Sequence, residues 1–119
     1  MARHNENLSL EEVIGGNPNL HGAGNGYDFW IPRGDRTYEE HCEQRKQFFE
    51  DYRRMLEGQH DYFLAAREWI ERNMRPTKTI RPCDSYYLKH VMERETGKYV
   101  SNGAFIAAAI SLGYRHTEN

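Results

Sequence analysis

The chain has 119 residues, room for one domain around one core, and 38% of them are apolar. Its formal net charge of −2 excludes a uniformly basic nucleic-acid-binding surface, and no apolar run approaches the roughly 18 residues of a membrane span. Cys42 and Cys83 are too few and too far apart for a disulfide framework, and fit two free thiols in a reducing compartment.

Residues 1–8 are polar and expected to fray. They carry no apolar secretory core, so the expected location is cytoplasmic. Ser9-Leu10-Glu11-Glu12 is a capping box, in which the Ser9 hydroxyl and the Glu12 carboxylate satisfy the first free amides of a helix. Gly15-Gly16 should stop that helix early. Residues 15–36 then read as a long loop rich in Gly, Asn and Pro, which is unusual inside a compact domain. Its apolar members Tyr27, Phe29, Trp30 and Ile31 either dock on the core or form a contact surface. Gly22-Ala23-Gly24-Asn25-Gly26 lacks the preceding strand, the following helix and the lysine of a nucleotide-binding loop, so a flexible turn is expected there.

Thr37-Tyr38-Glu39-Glu40 is a second capping box, opening a helix to about Glu57 with Gly58 as its stop. Phe48, Phe49, Tyr52, Met55 and Leu56 share the spacing of one buried face. A third helix is expected over His60–Met74, with Tyr62, Phe63, Ala66, Trp69, Ile70 and Met74 at the same spacing. The short break between the two predicts an antiparallel pair. Residues 76–83 read as an extended connector with room for a short edge strand, since two prolines argue against a central one. Asp84 or Ser85 should cap a fourth helix to about Glu95, stopped by Gly97. Ser101 or Asn102 should cap a fifth, closed by Gly113. The predicted fold is a single all-α domain of four to five short helices. Its central pair packs on the hairpin over 84–114, and its core includes Phe49, Tyr52, Leu56, Phe63, Trp69, Ile70, Leu88, Val91, Phe105, Ile106 and Ile110.

Charge is uneven along the chain. Residues 1–66 hold seven Lys/Arg against twelve Asp/Glu, a balance of −5, and residues 67–98 hold eight against five, a balance of +3. The basic stretch is either a solvated helix face or a band that touches an anionic partner. His41, Cys42, His60, Cys83 and His90 lack the paired ligand spacing of a zinc site, so neither metal nor cofactor is expected. A Cys–His pair is a remote nucleophile and base, with no local signature to support it, and the carboxylates Glu39, Glu40, Glu43 and Glu50 read as solvated helix charge. No catalytic residue is assigned.

The hairpin over 84–114 has the length of a helix-turn-helix, but its second helix offers Phe105-Ile106-Ala107-Ala108-Ala109-Ile110 where base-reading polar residues belong. That helix reads as core, or as one that packs closely on a neighbour, including a second copy in a homodimer. If nucleic acid is bound, Arg75, Lys78, Arg81, Lys89, Arg94 and Lys98 are the candidate phosphate contacts.

K-H-x-x-E at Lys89–Glu93, followed by Y-V-S-N-G-x-F-I-A-A-A at Tyr99–Ala109, resembles small uncharacterised proteins of phages, plasmids and other mobile elements, over the last third of the chain. The resemblance implies an accessory role, such as countering a host defence complex or regulating the element's own genes, and supplies no catalytic residues. The leading expectation is a non-enzymatic binding protein that occupies a site on a larger protein or nucleoprotein complex. Tyr27, Phe29 and Trp30 would be its anchors, worth roughly 2 kcal/mol or more each if desolvated. The alternative is a small DNA- or RNA-binding regulator using the basic band.

Overall fold

A computed structural model describes residues 8–25, 32–74, 79–80 and 82–116, with side chains omitted at 79, 80, 82 and 83. Among the described residues five helices dominate: α1 (Leu10–Gly16), α2 (Tyr38–Glu57), α3 (His60–Asn73), α4 (Pro82–Thr96) and α5 (Asn102–Ser111). Four two-residue strands join them: β1 (Leu20–His21), β2 (Gly24–Asn25), β3 (Thr79–Ile80) and β4 (Arg115–His116). β1 pairs antiparallel with β2, and β3 pairs parallel with β4. The mostly-α architecture expected from sequence is the one observed.

The fold is built around α5. Every residue from Gly103 to Ser111 is buried, so this helix has no solvent face. Its small side chains, Ala104, Ala107, Ala108 and Ala109, let neighbouring backbones approach closely. Phe63, Ala66, Trp69 and Ile70 of α3 supply its largest interface, and the Trp69 and Phe105 rings lie 6.1 Å apart. Leu10, Val13 and Ile14 of α1 pack on it, as does α4, which contributes Met92 with half-buried Leu88 and Val91 to the same core. Ser101 caps α5, its Oγ accepting from Ala104 N–H at 3.1 Å. Ahead of it, Gly97 terminates α4 in the left-handed region (φ 71°) that a side chain disfavours.

Both expected capping boxes form. Ser9 Oγ accepts from Glu12 N–H while Glu12 accepts from Ser9 N–H, and Thr37 and Glu40 repeat the exchange. These backbone bonds, then the capping hydroxyls, hold the carboxyls of Glu12 and Glu40 below the ordinary glutamate range.

Several expectations are corrected. Gly15 and Gly16 belong to α1, which Asn17 caps. The expected long loop contains the β1–β2 hairpin, and in its glycine-rich turn Gly22, Gly24 and Asn25 are buried while Ala23 is exposed. Gly22 N–H donates to the Tyr52 carbonyl and Gly22 O accepts from Gly103 N–H, both at 3.0 Å, which clamps the turn between α2 and α5. Residues 26–31, and with them Tyr27, Phe29, Trp30 and Ile31, lie outside the described residues. α2 and α3 do not form the expected packed pair: α2 lies chiefly against β1, and α3 lies against α5. Only Leu56 of α2 is buried, with Phe49 and Tyr52 half-buried and Phe48 and Met55 exposed. α4 starts at Pro82, a residue suited to a first helical position because its missing N–H would be unpaired there anyway, so Asp84 and Ser85 fall inside the first turn.

One side chain unites the N-terminal half. Arg53 on α2 donates to the carbonyls of Ile14, Asn17 and Leu20 at 2.8–2.9 Å. The first sits in the last turn of α1, where helix carbonyls lack intrahelical partners. Arg53 thus finishes α1 and fixes the entry to β1 together.

Candidate functional site

α4 and the segment after it carry a compact set of aromatic and charged groups. Lys89 is 8% exposed at its side chain, and its Nζ lies 3.2 Å from Glu93 Oε1 one turn on. The ammonium sits 5.3 Å from the centroid of the Tyr99 ring and 5.7 Å from that of Tyr86, within cation–π range of both. Glu93 Oε2 accepts from Val100 N–H at 3.0 Å, while His90 Nδ1 approaches Oε1 at 3.3 Å. Burial pushes the Glu93 carboxyl up, but the Val100 amide and then Lys89 and His90 outweigh it, and the group stays below the ordinary glutamate range. Glu93 is therefore charged at neutral pH and ties α4 to the start of α5.

Around this buried pair the surface is tyrosine. Tyr99 is 62% exposed and Tyr86 55%, and both rings lean on Lys89. Tyr62 of α3 meets Tyr99 edge to face with centroids 5.5 Å apart, and Tyr86 stacks edge-on against His90 at 4.5 Å. Tyr62 also borders a shallow depression of about 450 Å³ with Met55, Gly58, Gln59 and Asp61. Exposed tyrosines held by neighbours offer large contact area with little rotamer entropy left to lose. A second depression, about 380 Å³, runs between α3 and α4 over Trp69 and Met92, where Trp69 Nε1–H donates to Glu95 at 2.8 Å.

A polar cluster lies at the other end of α4. Ser85 Oγ is 3.1 Å from His116 Nε2, and Asn25 Nδ2 is 3.1 Å from His116 Nδ1. The order serine–imidazole–amide has the outline of an acyl-transfer triad. Ser85 has no exposed surface, however, so no substrate carbonyl reaches its Oγ in this conformation. Among the described residues no group of three His, Cys, Asp or Glu side chains is placed to hold a metal ion. Cys42 is an exposed free thiol, whereas the Cys83 side chain lies outside the described atoms.

The sequence-derived candidates scatter. Tyr27, Phe29, Trp30, Arg75, Lys78 and Arg81 lie outside the described residues. Arg94 and Lys98 are exposed. Lys89 is a correction to the proposed phosphate band: its ammonium is buried and already neutralised by Glu93. α5 is the core helix its alanine-rich sequence suggests, and the two alternatives for it are corrected. A helix with no exposed residue from Gly103 to Ser111 neither enters a groove of DNA nor offers an alanine stripe to a second copy. The tyrosines escaped sequence reading because Tyr62, Tyr86 and Tyr99 come from three separate segments, and only Tyr86, Lys89 and His90 carry a local sign, the i, i+3, i+4 spacing of one helix face. Compared with known protein families, with curated proteins and with solved structures, the chain shows no match. Among the described residues no helix is long and apolar enough to cross a membrane.

Proposed function

We propose that this is a small non-enzymatic binding protein that occupies a site on a larger protein or nucleoprotein complex through the tyrosine surface of Tyr62, Tyr86 and Tyr99. The observation that carries the reading is the buried Lys89–Glu93 pair beneath two exposed rings. A lysine seated against two aromatic faces, and a glutamate fixing the Val100 amide, hold Tyr99 in place before any partner arrives. Preorganisation of this kind lowers the ordering cost of association. The resemblance of the last third to mobile-element proteins sets the context we favour: an accessory factor of a phage or plasmid that blocks or modulates a host complex. Tyr27, Phe29 and Trp30 remain the anchors suggested by sequence.

A nucleic-acid regulator is the competing reading. It loses α5 as a recognition helix and Lys89 as a phosphate contact, and keeps Arg94 and Lys98. Affinity capture from a bacterial lysate separates the two. A captured complex that survives nuclease, is lost with Tyr62→Ala/Tyr99→Ala and persists with Arg94→Ala/Lys98→Ala supports the protein partner. Capture that vanishes with nuclease and falls steeply with added salt supports the regulator.

A further inference from the structure

His116 ties together three parts of the chain that are remote in sequence. Its ring meets Ser85 at the N-terminal end of α4 and Asn25 on β2, each at 3.1 Å, while its own strand β4 pairs with β3 and packs against α5. Ser85 and Asn25 are buried and the imidazole is half-buried. We propose that the C-terminal strand β4 is a proton-sensitive latch, closed by neutral His116 bridging Ser85 and Asn25 and released when that ring takes up a proton. The latch regulates the surface proposed above, because Ser85 directly precedes Tyr86 and stands one turn before Lys89; it therefore rests on that reading for its consequence, though not for its existence.

The bonding pattern gives the reason. A neutral imidazole presents one N–H and one lone pair. With the Asn25 amide donating to Nδ1, Nε2 carries the hydrogen and faces the Ser85 hydroxyl. A second proton at Nδ1 sets two donors against each other. Turning the Asn25 amide over would let Oδ1, now buried without a hydrogen-bond partner, accept from Nδ1–H, but it moves the two Nδ2 hydrogens into the buried place where Oδ1 found no partner, so one orphaned group replaces another. Burial then opposes the imidazolium, and it holds the His116 pKa down at about 4. Among the described residues, the ionisable groups on the surrounding elements are Asp84, Tyr86, Tyr87, Lys89, His90, Glu93, Arg94 and Glu95 on α4, of which Asp84 is the one beside Ser85, His21 on β1, Tyr114 just before β4 and Arg115 within it. β2, β3 and α5 carry none, and Lys89 is committed to Glu93.

Amide hydrogen exchange, corrected for intrinsic rates, tests the latch on the full chain without any partner. Protection of residues 115–116 and of the β3 amides is expected to fall by up to roughly tenfold per pH unit from about 6.5 towards 4, while α5 amides change less. Imidazole NMR should show His116 titrating with the same midpoint as the loss. His116→Gln should flatten that pH profile, with helicity by circular dichroism confirming the fold. Should this variant not fold, the two wild-type titrations suffice. Strand protection that stays constant while His116 titrates, or a His116 that titrates near 6.5 with β4 unmoved, overturns the latch. Failure of Tyr62 and Tyr99 substitutions to affect partner capture would instead count against the binding surface alone.

Discussion

Arg53 illustrates how much one side chain can organise. Its guanidinium spans the carbonyls of Ile14, Asn17 and Leu20, the first two of which also accept from the Asn17 and Leu20 amides. Arg53→Ala should cost about 2–3 kcal/mol in urea unfolding, since each charge-assisted bond is individually modest but the acceptors are left part-buried. Arg53→Lys should recover little, because an ammonium cannot reproduce the planar fork. Gly103 is constrained differently. A methyl group there would overlap the backbone carbonyl of His21, and backbone on both sides has no rotamer to yield. Gly103→Ala is therefore expected to destabilise by about 2 kcal/mol or more and to loosen the hairpin turn, read as faster exchange at Gly22. Lys89 and Glu93 are coupled: Lys89→Met strands a largely buried carboxylate, whereas Lys89→Met with Glu93→Gln should be the milder change. A double-mutant cycle measures the difference, and additivity would refute the coupling.

At the scale of elements, the two capping boxes have the same chemistry and different consequences. α1 puts Leu10, Val13 and Ile14 into the core, so Ser9→Ala should lower global stability by about 1 kcal/mol. The first half of α2 has no buried residue, so Thr37→Ala should fray residues 38–42 with little change in the global midpoint. Hydrogen exchange by segment beside a denaturant curve separates the two cases. Most helix boundaries were legible because the signals are local: two capping boxes, Ser101, and glycines 58, 97 and 113. The role of each helix was not. α2 carries an apolar stripe, yet Phe48 and Met55 on it remain exposed. A stripe reports that a face can be buried, and only the neighbours decide whether it is.

For the whole molecule, the acid limb of stability should be steep. His116 has a folded pKa lowered to about 4 from 6.5, and Glu12, Glu40 and Glu93 are also lowered from their ordinary 4.5. In each case the unfolded chain binds protons more readily than the folded one. Stability is therefore full above pH 6.5, declines through the His116 window as pH falls towards 4, and declines further as the carboxylates protonate. Urea midpoints between pH 7.5 and 3.5 should show this order. His116→Gln should remove the upper part of the fall, worth roughly 2 kcal/mol after allowance for partial exposure of the ring, and leave the lower part.

Local sequence by itself determined that this chain is helical, where most of its helices begin and end, and that the alanine-rich segment belongs inside, because caps, glycine stops and apolar periodicity act over a few residues. Tertiary structure alone decided that α2 rides on the hairpin and that Lys89 is buried. It also brought Tyr62, Tyr86 and Tyr99 onto one surface and made His116 meet Ser85 and Asn25. Those outcomes depend on close approach between segments far apart in the chain, set by how closely backbones can meet α5 and by which buried polar groups find partners, and neither quantity is written in any one stretch of residues.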